Sequence, residues 1–186
     1  MIPTIAFGQT TTAPTTTTPT GASPAPPANT GGTSPQDPQF LPAAKGKIVA
    51  GIAIPPIGAP PEVVAAISAA NQIVTKPYIY GGGHKSFISR GYDCSGSVSF
   101  ALHGAGLVDS PLDSSDFMKW DDPGKGKWIT VYTNPSHAFV VIAGLRFDTG
   151  FRDRLSKVHG AAPGSGPRWG GPRPTRGYHA RHPDGL

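Results

Sequence analysis

Tyr78-Ile79-Tyr80-Gly81-Gly82-Gly83 and, shortly after it, Tyr92-Asp93-Cys94-Ser95-Gly96-Ser97-Val98 are the stretches on which the reading of the fold turns. A turn containing an aspartate, Arg90-Gly91-Tyr92-Asp93, leads into Cys94. From there Val98, Ala101, Leu102 and Ala105 recur at helical spacing until Gly104 and Gly106 close the run. The pattern predicts a helix over about 94–105 with Cys94 in its first turn. That position has chemical consequences. The free N–H groups and positive dipole end of a helix N-terminus stabilise a thiolate and lower its pKa. The same N–H groups are placed to hold an oxyanion during attack on a carbonyl. A structural cysteine would sit on the apolar stripe in mid-helix instead.

Toward the N-terminus, Pro61-Glu62 opens a first helix, with proline at an early position and an acid in the first turn. Val63, Ile67, Ala70 and Val74 carry it at helical spacing through Thr75, and Lys76-Pro77 ends it. Residues 47–60 read either as one short strand or as a stretch packed on the domain surface. Toward the C-terminus, 109–127 is rich in Asp, Ser, Pro and Gly and reads as a loop. Strands are predicted over 128–132 and 137–142. A short turn at Ala143-Gly144 then makes a hairpin with Leu145-Arg146-Phe147-Asp148. Past Phe151, only 177–181 looks able to add a final strand. Helices followed by strands make an α+β arrangement.

A thiolate nucleophile needs a base, and the base an orienting partner. Of the six histidines, His84 lies in a Gly-rich loop and His103 in the second helix, whereas His159, His179 and His182 fall in the irregular C-terminal part. His137 stands apart because it opens an apolar strand, which would hold it rigidly. A hairpin turning at Ala143-Gly144 pairs Ile142 with Leu145 and hence Phe139 with Asp148. Asp148 therefore shares a face with His137, diagonally adjacent, where a carboxylate can fix the imidazole tautomer. Thr149 is the fallback for this third position.

The 186 residues divide into two compositions. Residues 1–46 form a Thr/Pro/Ala/Gly tract with no Lys or Arg before Lys45, expected to be disordered or partly polyproline II. Its first eight residues resemble the end of a signal peptide, with Ala6 and Gly8 spaced like a cleavage site, and the Thr/Pro-rich stalk suits an exported protein. The folded domain is expected over 47–186, with its core at 61–151. A basic Gly/Pro/Arg-rich part, 152–186, carries much of the formal net charge of +5. Such a surface favours polyanions, which include nucleic acids, anionic lipids and wall polymers, or acts as a solvated tail. It has no nucleic-acid motif beside it, and no apolar run is long enough for a transmembrane helix. A single cysteine excludes an intramolecular disulfide, and the zinc frameworks with several Cys or His at short spacing are absent.

Taken together, Tyr78, Tyr80, Gly81, Gly82, Asp93, Cys94, Ser95, Gly96 and His137 resemble, in order, the core motif of the NlpC/P60 family. The members of that family are papain-like cysteine peptidases of the bacterial cell wall, and the resemblance spans about 61–151. Gly126-Lys127-Trp128-Ile129-Thr130-Val131-Tyr132 resembles the strand before the family histidine. The resemblance implies a papain-like fold with N-terminal helices on a small antiparallel sheet. It implies a secreted, monomeric, cofactor-free and metal-free peptidoglycan hydrolase acting on stem peptides near a γ-D-glutamyl bond. Cys94 would be the nucleophile and His137 the general base, with Tyr78 and Ser95 lining the substrate pocket. The third polar residue of the family is commonly His, Asn or Gln, so Asp148 is a departure, as is the Gly83-His84-Lys85-Ser86 loop. The same dyad also serves an N-acetylmuramoyl-L-alanine amidase or an acyltransferase. A catalytically silent wall-binding module is the alternative outside the enzymes.

Overall fold

A computed structural model describes residues 44–151 and 166–186. The expected signal remnant and nearly all of the Thr/Pro tract, residues 1–43, lie outside the described residues, as does His159. At Gly46 the chain is already buried, and its N–H donates to Ala143 O at 2.9 Å.

The segment 47–60 holds two strands rather than one, and it packs on the domain through Ile48 and Ala53. It forms a hairpin of β1 (Lys47–Val49) and β2 (Ile52–Ile54), joined by Ala50-Gly51 with φ of 50° and 81°. These values make a two-residue turn whose twist matches that of the strands. Helix α1 is Pro61–Ile73, with Pro61 and Glu62 in its first turn and Val63, Ala66, Ile67, Ala70 and Ile73 buried. Helix α2 is Cys94–His103, and α3 is a four-residue helix, Ser114–Phe117. α3 lies in the stretch that reads as loop. It is held by a capping box between Asp113 and Asp116, and it buries Phe117.

The remaining strands are β3 (Asp122–Pro123), β4 (Ile129–Asn134), β5 (His137–Ile142), β6 (Leu145–Asp148), β7 (Arg168–Gly170) and β8 (His179–His182). They form a six-stranded antiparallel sheet in the order β3-β8-β4-β5-β6-β7. β4 begins and ends later than expected, and the final strand runs over 179–182 rather than 177–181. β7 is an addition, because the sequence reading allowed only one strand after Phe151. It exists because Trp169 is fully buried, 4.9 Å from Phe147 by ring centroids, and its Nε1–H donates to Asn71 Oδ1 at 2.8 Å. Asn71, on α1, also accepts from Ala53 N at 3.0 Å and donates to Ala53 O at 2.9 Å. One half-buried amide thus ties α1 to both β2 and β7. The β5–β6 turn is Ala143-Gly144, with φ of 47° and 72°, which puts Ile142 opposite Leu145 and Val140 opposite Phe147.

Residues of α1, α2 and strands β4 to β7 share one apolar core, including Ile67, Val98, Leu102, Val131, Val140 and Phe147. α2 is buried on most sides, with Ser95, Gly96, Ser97 and Ser99 hidden as well as Val98, Ala101 and Leu102. Its buried hydroxyls are satisfied. Ser97 Oγ donates to Cys94 O at 2.8 Å, and Ser99 Oγ donates to Leu112 O at 3.1 Å while accepting from Leu112 N at 2.9 Å. The small residues of its first turn let another backbone approach. A Cβ at Gly96 would lie 2.0 Å from Gly82 O, a backbone atom that cannot swing aside. Gly96→Ala is therefore expected to cost about 3 kcal/mol of stability. Denaturant unfolding checks this, and an unchanged midpoint would contradict the packing described.

Candidate active site

The start of α2 is built by Asp93, whose extended backbone makes it the N-cap. Its Oδ1 accepts from Gly96 N at 2.8 Å and its Oδ2 from Gly81 N at 3.0 Å. Gly82 O accepts from Asp93 N at 3.1 Å, so the glycine loop is fastened to the helix start from both sides. Tyr78 is brought alongside by a bridge to Tyr92, with Ile79 N donating to Tyr92 O at 3.3 Å. Cys94 is thereby presented half-buried in the first helical turn. The Gly96 N–H is taken by the Asp93 side chain and the Ser97 N–H by Asp93 O. The N–H groups left to face a ligand are those of Cys94 and Ser95.

His137 is set by a tight corner. Asn134 Oδ1 accepts from Ser136 N, Ser136 Oγ and His137 N, each at 3.0 Å, and Asn134 pairs with His137 across the two-residue turn. β5 touches α2, which brings His137 to Cys94. Its Nε2 lies 2.8 Å from Asp148 Oδ1, leaving Nδ1 as the nitrogen for the thiol. Asp148 is completely buried at the end of β6, the strand beside β5. Gly150 N also donates to Oδ1 at 2.8 Å, and Arg173 Nη1 donates to Oδ2 at 3.0 Å. Arg146 Nη1 stands 3.6 Å from Oδ2. It is Asp148, and not Thr149, whose side chain meets the imidazole. Aromatic rings enclose the far side, with Tyr178 edge-on to His137 at 6.3 Å and to Phe139 at 5.2 Å.

Charge follows from these contacts. Burial pushes the Cys94 thiol up, but hydrogen bonding from His137 and the Ala138 backbone, with the imidazolium charge, brings it below its ordinary value. Burial works against protonated His137 as well. The hydrogen bonds to Asp148 and Cys94 and their negative charges outweigh it, raising its pKa to about 9. Burial would raise Asp148 too, yet His137, Gly150 N and Arg146 hold it below its ordinary value. These shifts run toward an imidazolium between a thiolate and a carboxylate.

A cleft of about 560 Å³ opens at Cys94, lined among others by Tyr78, Tyr80, His84, Ser95 and Ser136. The two expected pocket residues, Tyr78 and Ser95, thus stand in the same cleft as the thiol. Burial, and then the charges of Cys94 and Asp93, raise the Tyr78 phenol above its usual range. His84 was not singled out by sequence reasoning. Its Nε2 lies 2.9 and 3.0 Å from the two Asp93 oxygens and 3.3 Å from Ser95 Oγ. Its only sequence signal was its place in a loop that departs from the family pattern. His103, by contrast, stacks on Phe87 at 3.7 Å and faces Val108 O at 3.0 Å with Nδ1, away from the thiol. Among the described residues no group of three or more His, Cys, Asp or Glu side chains is arranged to hold a metal ion. None of their helices is long and apolar enough to cross a membrane.

No protein-family model and no curated protein matches the chain. Among solved structures it is similar to the resuscitation-promoting-factor-interacting protein RipA, in a mutated form, at a TM-score of 0.45 and 19% sequence identity. The likeness covers 64% of this chain and 61% of that one.

Proposed function

We propose that this chain is a thiol hydrolase of the NlpC/P60 type, with a papain-like fold, that cuts amide bonds in peptidoglycan stem peptides. The observation that carries the reading is a cysteine at a helix N-terminus in contact with an imidazole whose far nitrogen rests on a buried carboxylate. The thiolate of Cys94 attacks the amide carbonyl carbon, and the N–H groups of Cys94 and Ser95 hold the oxyanion. The C–N bond then breaks as His137 gives its proton to the leaving amine, and a thioester remains. His137 next takes a proton from water, which attacks the thioester. The Cys94 thiolate is expelled as the acid leaves, and with the water's proton on His137 the starting pair is restored. Asp148 keeps the proton on Nε2 and faces Nδ1 toward sulfur throughout. Tyr78 and Ser95 would hold the peptide beside the thiol.

The substrate class rests on the motif from Tyr78 to Gly96 together with His137. In the same reading the protein works outside the cell as a monomer, its Thr/Pro tract acting as a spacer and its basic surface holding anionic wall polymers. Incubation with purified peptidoglycan, with products identified by mass spectrometry, tests the proposal. New amine and carboxyl ends within stem peptides are expected, and none with Cys94→Ala. Release of whole stem peptides from the sugar would show an amidase instead. Retained wall binding without cleavage would contradict the enzyme reading.

A further inference from the structure

Arg173 lies in the basic Gly/Pro/Arg-rich segment that composition reads as a solvated tail, yet its guanidinium is built into the site. Nη1 donates to Asp148 Oδ2 at 3.0 Å, and the guanidinium carbon stands 5.1 Å from the ring centre of Phe139 and 5.5 Å from that of Tyr178. The two Asp148 oxygens have separate tasks. Oδ1 meets His137 Nε2 and Gly150 N, each at 2.8 Å, whereas Oδ2 meets Arg173, with Arg146 farther off at 3.6 Å. A carboxylate retains rotation about its last bond, and the donor on Oδ2 decides whether Oδ1 stays aimed at the imidazole. The fit is close. A Cβ on Gly150 would lie 3.1 Å from Arg173 Nη1, 3.2 Å from Asp148 Oδ1 and 3.2 Å from His137 Nε2, so the three groups converge on the space that this glycine leaves.

We propose that Arg173 is a positioning residue for the Cys94–His137 pair: it clamps Asp148 so that Oδ1 is presented to His137, and it makes the C-terminal segment part of the active site. The proposal rests on the thiol-hydrolase reading. Two effects of the guanidinium oppose each other. Its charge repels the imidazolium, whereas its grip on Oδ2 maintains the 2.8 Å contact that favours the imidazolium. Asp148 stands between the two cations and the contact is the shorter interaction, so orientation dominates. The other groups facing His137 are Cys94 and Tyr178, with Arg146 on Asp148 and Asp93 across the thiol.

Because Cys94 is the only cysteine, the ultraviolet absorbance of the thiolate, taken as a difference from Cys94→Ala, titrates this site alone. In Arg173→Met the midpoint of thiolate formation is expected to move up by about one pH unit, a tenfold weakening of the ion pair. kcat on peptidoglycan should fall about tenfold with KM nearly unchanged, and Arg173→Lys should restore most of the midpoint. Where Arg173→Met does not fold, Arg173→Gln is read in its place, with the same direction expected. A midpoint that stays put or moves down would overturn the proposal. A wild-type protein with an ordinary thiol midpoint would instead overturn the hydrolase reading beneath it.

Discussion

His137→Ala is expected to lower kcat by about 10³-fold at neutral pH in a protein that remains folded. The side chain is 20% exposed and stands at the start of β5, where the backbone is held by Asn134, so Ala is tolerated there. Two contributions to the rate disappear together. Cys94 loses the hydrogen bond and the positive charge of His137, leaving only the Ala138 backbone bond against the burial that pushes the thiol up. The leaving amine also loses its proton donor. The pH profile should change shape as well as height. The wild-type profile falls on the acid side as the thiolate is protonated and on the alkaline side as His137 loses its proton near 9. The variant should show only a small rate that rises with pH through the thiol range and has no alkaline limb. A variant that keeps wild-type kcat would remove His137 from the mechanism.

Asp148→Asn keeps the shape of the third residue and removes its charge, and it should show in both stability and turnover. The carboxylate is fully buried, with His137 and Arg173 bonded to it and Arg146 at 3.6 Å. Removing one partner from a buried charge network costs about 3 kcal/mol, read by denaturant unfolding. The pH dependence gives the sign. Asp148 has a depressed pKa in the folded protein, so its contribution is present above the ordinary 3.8 and lost as the pH falls below that value. His137 has a raised one, so its contribution is full below 6.5 and lost as the pH rises through about 9. Both slopes should flatten in Asp148→Asn. kcat should fall about 10²-fold, because the imidazolium loses its counter-charge and burial then favours the neutral ring. Wild-type turnover with a lowered unfolding midpoint would make Asp148 purely structural.

The site was legible where local rules determine geometry. A two-residue turn at Ala143-Gly144 sets the β5–β6 register, and that register alone brings Asp148 to His137. Cys94 could be placed because a helix start leaves a pattern of an acid, small residues and an apolar stripe. The rest depends on contacts between distant segments. β7 has three residues without alternation and forms because Trp169 fills a space between Phe147 and Asn71. α3 is too short for any periodicity, although Asp113 and Asp116 carried the capping pattern. Ala50-Gly51 lacks the Asn or Asp that usually marks a tight hairpin. Arg173 is one of several arginines in a Gly/Pro-rich run, and composition cannot tell which of them turns inward. His84 was unremarkable until the fold put Asp93 beside it.

The central claim is that Cys94 stands as a thiolate paired with the His137 imidazolium at neutral pH. The rate of Cys94 alkylation by iodoacetamide, followed by mass spectrometry across pH, tests it most directly, since no other thiol competes. The account predicts rapid modification at pH 6, faster than a small free thiol by about tenfold or more, and loss of that advantage in His137→Ala. A wild-type rate at pH 6 no greater than that of the free thiol would contradict it.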